Sequence, residues 1–392
     1  MKGSLKIGKI AGIEIGVHYT WIFAFFLFGF TFAETFLSIF TWTTFQAWLT
    51  GFLCTILLFI SVLAHELAHS LVAKSRGLPV SSINLFIFGG VSNLTEEPKS
   101  AGTEFSMAIV GPLTSLVIGV ICWALWFVMV NTWKMPLLQT LPFKNVSIGA
   151  ALLGVLAYMN LALTVFNLLP GFPLDGGRVF RSIVWGTTKD LVKATNIAAT
   201  VGKLFGWAFI AAGAYLLFFQ GNLIGGIWIA IIGLFLSSSA ETSRQETTIR
   251  QHLQGVKVSQ LMELNTETVN QNMPVATLVQ EVFMNKNRRS IPVIDDGRLV
   301  GMVTMSDIRH VSQDMWPVTP VSQIMSKEQI HTVKQDDELN DALKIISQYD
   351  LNQLPVVDAY GKLLGIISRA HIVNYLQLKS DISAATSKMK KI

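Results

Sequence analysis

The first part of the chain consists of long apolar runs, and the second part is rich in charged positions. Six runs approach the roughly 20 apolar residues that a helix needs to cross the hydrocarbon core of a bilayer. The last two runs are short and are joined through Gln220, Gly221 and Asn222. The pattern predicts a membrane domain of about six helices over residues 1–240. The six runs cover residues 17–38, 46–73, 105–130, 147–169, 203–219 and 223–239.

Composition supports the same division. The chain has 392 residues, of which 51% are hydrophobic and 14% charged, and its mean hydropathy is +0.49. Soluble domains are about one quarter charged, so these values exclude an ordinary soluble enzyme and a disordered chain. Residues 1–240 hold 13 Lys and Arg against 8 Asp and Glu, whereas residues 241–392 hold 17 against 17. This increase in charged residues after residue 240 predicts a membrane domain followed by a soluble domain.

The basic residues of the first part predict its orientation, because Lys and Arg accumulate on the cytoplasmic side of membrane proteins. With the N-terminus inside, the cytoplasmic segments carry eleven basic residues and the outer segments carry two, Lys134 and Lys144. An even number of spans then places the second domain in the cytosol. This topology explains the basic excess, and no basic patch interleaved with aromatic residues is present, so nucleic acid is not expected as a partner.

The second apolar run contains three ionisable residues, His65, Glu66 and His69. Residues four apart lie on one face of a helix, so both imidazoles can bind one metal ion, with Glu66 beside it as a general base. A zinc ion held by three protein ligands keeps one position for water and lowers the pKa of that water to about 7. Ionisable groups inside a span are costly and usually mark function. The alternatives are a proton or ion relay and polar packing between helices.

A third ligand is expected where the fourth run ends. Pro170 and Pro173 stop the helix, and Asp175 follows them as the only acidic residue between Glu104 and Asp190. It is predicted at the same end of its span as the histidine pair. Its carboxylate can therefore complete a three-ligand zinc site or, alternatively, cap the helix that follows.

Two motifs in separate spans resemble those of the site-2 protease family of intramembrane zinc metalloproteases: His65-Glu66-x-x-His69 and Asn167-x-x-Pro170-x-x-x-x-Asp175. The similarity covers most of residues 1–240. It implies that His65, His69 and Asp175 bind zinc and that Glu66 is the catalytic acid and base. Asn167 occupies a family position in the active-site cleft, where an amide can orient substrate or stabilise an oxyanion. Without the resemblance, Asn167 would be read as a polar contact between helices.

Residues 82–94 are too short to cross a membrane and predict a β-hairpin that turns at Gly89-Gly90. In the family, a similar loop re-enters the membrane beside the active site. Its edge could pair with an unwound substrate segment, since a helical peptide bond must be opened before water can reach it. The alternative is a simple cytoplasmic hairpin.

The second domain contains an internal repeat. Residues 258–262 match residues 321–325, and residues 291–295 match residues 354–358. Each copy predicts a helix, a Pro-Val strand, a second strand and another helix, which resembles the CBS domain. The predicted organisation is a transmembrane metalloprotease domain at 1–240, a linker with helical character at 241–257, CBS repeats at 258–315 and 320–380, and a disordered basic tail at 381–392.

Paired CBS domains commonly bind adenine nucleotides such as ATP, ADP or AMP in the clefts between repeats, where a hydroxyl and a carboxylate reach the ribose. Thr304 and Asp307 match that pattern in the first repeat. The second repeat has Ser368 but carries His371 where the Asp belongs, so one competent cleft at most is expected. The alternative is a pair that only dimerises the protein.

These features predict a polytopic α-helical membrane protein with a re-entrant hairpin and a cytosolic α+β CBS pair. The predicted activity is a zinc endopeptidase of a prokaryotic cell membrane that hydrolyses a peptide bond in or near a transmembrane segment of a substrate protein. Nucleotide at the CBS pair is expected to regulate it, and the pair is expected to form a homodimer. The rival hypothesis is a CBS-regulated ion or metal transporter that uses the same intramembrane residues, although the sequence shows no inverted repeat of broken helices.

Overall fold

A computed structural model describes residues 4–87, 89–94, 97–132, 146–284, 290–327 and 330–389. The chain forms two compact units, Met1–Gln245 and Glu246–Ile392. The first unit contains long apolar helices and one small β-sheet, and the second contains two further sheets with short helices. The predicted architecture, a domain of long apolar helices followed by an α+β domain, is confirmed.

The first unit is built around six helices that are long and apolar enough to cross a membrane, counted over the described residues. A seventh, shorter helix lies between the fourth and fifth of them in chain order. The helices are α1 Thr20–Ile39, α2 Thr44–Ser75, α3 Ala101–Thr132, α4 Ile148–Asn167, α5 Asp175–Thr188, α6 Leu191–Phe219 and α7 Leu223–Leu253, and the part of α7 from residue 246 onward belongs to the second unit.

Helices α6 and α7 extend beyond the apolar runs that predicted them. Helix α6 begins at Leu191 because the Asp190 carboxylate caps it, accepting a hydrogen bond from the Lys193 backbone N–H at 2.9 Å. Its first turns are polar, so hydropathy alone places the start too late. Helix α7 continues to Leu253, which confirms the predicted helical character of the linker. Lys134 and Lys144, which the orientation argument places outside, fall beyond the described residues.

A four-stranded sheet in the order β1-β2-β3-β4 lies in the first unit. β1 and β2 form an antiparallel hairpin whose two-residue turn, Ala11 and Gly12, has positive φ angles of 52° and 80°. β2 pairs parallel to β3, and β3 pairs antiparallel to β4. The sequence analysis predicted only the second of these hairpins. The strands are β1 Ser4–Ile10, β2 Ile13–His18, β3 Val80–Phe86 and β4 Gly89–Leu94.

The sheet packs on helix α2. Ile13, Ile15 and Ile83 are buried in a cluster with Leu63 and Leu67 of α2, on the helix segment that also carries the histidine pair. This packing sets β4 beside that segment. The predicted hairpin is present, but Gly89 and Gly90 are not its turn, because they already belong to β4 and pair with residues 86 and 85.

The second unit contains two similar three-stranded sheets, β5-β6-β7 and β8-β9-β10. In each sheet the first pair is parallel and the second is antiparallel. The strands are β5 Val269–Asn270, β6 Ser290–Asp295, β7 Arg298–Thr304, β8 Val333–Lys334, β9 Gln353–Val357 and β10 Leu363–Ser368. The helices are α8 Val275–Thr277, α9 Met305–Ile308, α10 Val321–Ile324, α11 Leu339–Gln348 and α12 Arg369–Met389. Wider helical turns over Leu278–Met284 continue α8.

The first segment of each repeat packs on the core of the other repeat. Val258, at the start of the first repeat, is buried in a core with Leu339, Leu354 and Ile367 of the second repeat. Residue 263 pairs with residue 366, and residue 302 pairs with residue 326. Each cleft is therefore formed by residues of both repeats. The expectation of a disordered tail from residue 381 is wrong as far as residue 389, because α12 continues to Met389.

Candidate metal centre

Helix α2 carries the histidine pair on its buried face. His65 and His69 are 4% and 8% exposed, so both imidazoles lie inside the helix bundle. Since the two residues are four positions apart on one helix, their Nε2 atoms point the same way and are 3.2 Å apart. Glu66 lies next to His65 and is half-buried.

Asp175 reaches the histidine pair from a different part of the chain. It is the first residue of α5, after the loop that follows the end of α4. Its Oδ2 atom lies 3.0 Å from Nε2 of His65 and 3.2 Å from Nε2 of His69. Over the described residues, these three are the ones whose His, Cys, Asp or Glu ligand atoms converge closely enough to hold a metal ion.

Helix α3 sets the orientation of both imidazoles from the opposite side. The Met107 carbonyl oxygen lies 2.6 Å from Nδ1 of His69, and the Ser115 hydroxyl lies 2.9 Å from Nδ1 of His65. A carbonyl oxygen only accepts hydrogen bonds, so Nδ1 of His69 is the donor. In the neutral ring, Nε2 of His69 therefore carries a lone pair directed at the carboxylate oxygen of Asp175.

The donor set fits a zinc ion. Lone pairs on Nε2 and on a carboxylate oxygen repel when they face each other without a cation between them. Two ligand atoms of a tetrahedral zinc site lie about 3.3 Å apart when the bonds are about 2.0–2.1 Å long. The three separations of 3.0, 3.2 and 3.2 Å are close to that value. Two imidazoles and one carboxylate are also a ligand set found in catalytic zinc sites.

Gly111 of α3 faces the cluster without a side chain. A Cβ atom built at Gly111 would overlap Nε2 of His69 and would lie 2.7 Å from Nε2 of His65. The close approach of the α3 backbone therefore requires glycine at this position.

The Glu66 carboxylate is held by the sheet. Ser92 of β4 donates a hydrogen bond from its hydroxyl to Oε2 of Glu66 at 3.0 Å, and the Ser70 hydroxyl lies 3.0 Å from that of Ser92. The β4 backbone approaches so closely that a Cβ at Gly90 would lie 2.9 Å from Cδ of Glu66. The hairpin thus lies directly against the predicted catalytic base.

Asn167 is placed differently from the other predicted residues. It is the last residue of α4 and is half-buried, and it takes no part in the hydrogen bonds that join the histidines to Asp175. Its place is at the start of the loop that leads to Asp175.

The predicted nucleotide residues lie in the second unit. The Asp307 carboxylate accepts hydrogen bonds from the backbone N–H and the hydroxyl of Thr304, at 2.7 and 2.8 Å. In the second repeat, the backbone N–H of His371 donates to the Ser368 hydroxyl at 3.2 Å. The His371 ring is 3.9 Å from a carboxylate oxygen of Glu263, so this cleft carries an acidic group that the sequence analysis did not anticipate.

Several residues of the site were missed by sequence analysis. Met107 acts through its backbone, which leaves no sequence signal. Ser115 and Ser92 are common polar residues, and only the fold brings them to His65 and Glu66. A further buried pair, Glu104 and Arg181, joins α3 to α5.

Comparisons with known proteins agree with both parts of the structure. The family model for Peptidase family M50 matches residues 53–209, which include His65, Glu66, His69 and Asp175. The CBS domain model matches residues 258–314 and 321–378.

Curated relatives match over nearly the whole chain. The candidate zinc metalloprotease sll0528 of Synechocystis sp. is 32% identical over 96% of this chain and 96% of its own length. The zinc metalloprotease MJ0392 of Methanocaldococcus jannaschii is 31% identical over 97% of this chain and 99% of its own length. The solved site-2 protease from Methanocaldococcus jannaschii is 32% identical and covers 62% of this chain and 95% of its own, with a TM-score of 0.40.

Proposed function

The chain belongs to peptidase family M50 and is a zinc metalloprotease with a CBS domain pair, and from this premise we propose that it cleaves a transmembrane segment of another membrane protein. The observation that carries the proposal is the convergence of His65, His69 and Asp175, next to Glu66, inside a unit of six apolar helices. A peptide bond that reaches this site is inside or at the edge of the bilayer. The substrate class is therefore membrane-spanning proteins.

In this proposal His65, His69 and Asp175 bind the zinc ion. Bound zinc supplies an activated water and polarises the carbonyl of the scissile bond. The Met107 carbonyl and the Ser115 hydroxyl fix the two rings, since an outer hydrogen bond sets both the tautomer and the orientation of a ligating histidine.

Glu66 transfers the proton. Its carboxylate accepts a proton from the attacking water and delivers it to the amide nitrogen as the C–N bond breaks. The second proton of the water passes from the new carboxyl group to the amine, so the products are a carboxylate and an ammonium group, and Glu66 returns to its ionised form. Because Ser92 holds Oε2, we assign the proton transfer to Oε1.

Asn167 is assigned to substrate positioning. An amide N–H at the end of α4 can donate a hydrogen bond to the substrate carbonyl as negative charge develops on its oxygen. Its separation from the hydrogen bonds of the ligand cluster supports a role toward substrate and not toward the metal.

Strand β4 is assigned to substrate capture. It is an edge strand of the sheet, and it lies against Glu66. An edge strand has backbone N–H and C=O groups that can pair with an extended peptide. Pairing with β4 would hold an unwound substrate segment beside the predicted catalytic base.

The CBS pair is assigned to nucleotide sensing in the cytosol. Thr304 and Asp307 supply a hydroxyl and a carboxylate for ribose at one cleft, and the Glu263 carboxylate beside His371 disfavours phosphate at the other. The cytoplasmic placement of the N-terminus and the CBS pair rests on the distribution of Lys and Arg. A prokaryotic cell membrane is proposed because the similar zinc metalloproteases come from Synechocystis and Methanocaldococcus. Self-association of CBS pairs makes a homodimer the expected assembly.

The test uses a variant that binds substrate without cleaving it. Glu66→Gln keeps the size of the side chain but removes the base. Membrane proteins that co-purify with this variant are identified and then incubated with wild-type and variant enzyme in liposomes. We expect wild type, and an exposed control variant on α1, Glu34→Gln, to cut within a transmembrane segment, and Glu66→Gln to leave the substrate intact. Cleavage by Glu66→Gln at the wild-type rate would overturn the proposal.

A further inference from the structure

A buried ion pair joins α3 to α5. The Arg181 guanidinium donates from Nε to Oε1 of Glu104 at 2.7 Å, and its Nη2 also contacts that oxygen. Glu104 is fully buried and Arg181 is 6% exposed. A charge pair removed from water to this degree is held firmly only when its geometry is good, and the removal of one partner leaves a buried unpaired charge.

Arg181 lies on the short helix that begins with Asp175, less than two turns further along. Arg181 also contacts two neighbours of this helix, α6 and the loop before Asp175. Nη1 donates to the Thr195 hydroxyl of α6 at 3.4 Å, and the guanidinium lies 5.0 Å from the ring centroid of Phe172, in the loop that precedes Asp175. Arg181 therefore connects α5 to three surrounding parts of the membrane unit.

Glu104 lies on the face of α3 that builds the metal centre. Met107, Gly111 and Ser115 follow it at spacings of three, four and four residues, which places all four on one side of a helix. Met107 binds the His69 ring, Gly111 approaches both rings, and Ser115 binds the His65 ring. The same helix face thus holds both histidines and, through Glu104, the helix that carries Asp175.

We infer that Glu104 and Arg181 are positioning residues that set the distance between the Asp175 carboxylate and the histidine pair. The inference rests on the proposed role of Asp175 as a zinc ligand. The ion pair holds α5 against α3, and α3 also holds both imidazoles. Helix α3 therefore sets the positions of all three ligand atoms. Loss of the pair frees Asp175 to move while the histidines keep their partners.

The test measures zinc affinity of the full chain in detergent by competition with a chelator, which requires no knowledge of the substrate. The double variant Glu104→Gln/Arg181→Met removes both charges, so that neither is left buried alone. We expect its zinc affinity to fall about 10–100-fold, as for other outer partners of metal ligands. Glu104→Asp keeps the charge on a shorter side chain and should show a smaller loss in the same direction.

A matched control breaks an ion pair elsewhere. Lys203 and Glu241 join α6 to α7 at 2.9 Å in a partly exposed pair that includes no residue of α3 or α5. Lys203→Met/Glu241→Gln should leave zinc affinity within about twofold of wild type, since surface ion pairs contribute little. The decisive comparison repeats the Glu104/Arg181 double variant in an Asp175→Ala chain, where it should cause no further loss of zinc affinity.

The outcomes separate this inference from the function on which it rests. If both the Glu104→Gln/Arg181→Met double variant and Glu104→Asp bind zinc as tightly as wild type, the positioning role is overturned and the ligand set stands. An equal further loss in the Asp175→Ala chain would also overturn it, because the pair would then act on the whole fold and not through Asp175. Failure of wild type to bind zinc would overturn the ligand set and this inference together.

Discussion

Gly111 lies so close to His69 that a single methyl group at Gly111 would overlap the Nε2 atom of the imidazole. The same methyl would be 2.7 Å from Nε2 of His65. The α3 backbone therefore forms one wall of the metal centre. The space in front of the two ligand nitrogens exists because Gly111 has no side chain.

Gly111→Ala should therefore weaken zinc binding. The methyl group would push the rings from their positions, and we expect a loss of at least about tenfold in zinc affinity, comparable to the loss of an outer partner of a ligand. Gly102→Ala is the matched control, since it lies on the same helix and a Cβ there meets no atom within 4 Å. Equal zinc affinities of the two variants, measured by chelator competition, would contradict this description of the wall.

Ser92→Ala should slow catalysis without loss of zinc. Without the hydroxyl, the Glu66 carboxylate loses the hydrogen bond that orients it. We expect kcat to fall about tenfold, a part of the roughly 100-fold or more that a general base contributes, with KM and zinc content unchanged. The readout is the turnover of a substrate captured by Glu66→Gln.

Two further variants make the Ser92 result specific. Ser92→Thr retains a hydroxyl and should recover most of the rate. Ser81→Ala removes a serine hydroxyl from β3 whose hydrogen bond goes to the Asn93 carbonyl, and it should resemble wild type. A fall in zinc content with Ser92→Ala would show instead that the hydroxyl supports the metal site.

Close packing between α6 and α7 should make Gly206 sensitive to substitution. A Cβ at Gly206 would lie 2.8 Å from the Gly233 carbonyl oxygen and 2.9 Å from the backbone nitrogen of Ser237, so the helices would have to separate. Overpacking of this kind costs about 1–3 kcal/mol. We expect Gly206→Ala to lower the melting temperature in detergent, whereas Gly186→Ala, with its nearest neighbour at 3.8 Å, should not.

Nucleotide binding should depend on Asp307 and not on His371. We expect ATP, ADP or AMP to raise the melting temperature of the wild-type chain, since a ligand that binds only the folded state stabilises it. The Asp307→Ala variant should need at least about tenfold more nucleotide for the same rise in melting temperature, because a ribose hydroxyl loses its acceptor. His371→Ala, at the corresponding position of the second repeat, is the control. Equal sensitivity of both variants would indicate two working clefts.

The parts of the site that depend on local spacing could be predicted from sequence. His65 and His69 share a helix face whatever the rest of the fold does, and Glu66 lies beside them. Asp175 was predicted from its place at the end of a span, and the structure brings it within 3.2 Å of both rings. Helix α7 was likewise predicted to continue beyond its apolar run.

The parts that depend on tertiary contacts were not predicted. Glu104 and Arg181 are separated by 77 residues, and neither has a pattern that indicates the other. Strands β1 and β2 were not predicted, although the alternation of apolar and polar residues and the Ala11-Gly12 turn are typical of a hairpin. The His371 cleft could not be judged from one repeat, since its Glu263 comes from the other.

The central claim is that His65, His69 and Asp175 together hold zinc, and the most direct measurement is the metal content of the protein purified in detergent without chelators. Wild type should retain about one zinc per chain, and a folded Asp175→Ala variant should lose it on dialysis against a mild chelator that leaves wild type loaded. A wild-type chain that retains no zinc, or an Asp175→Ala chain that holds zinc as tightly as wild type, would contradict the three-ligand site.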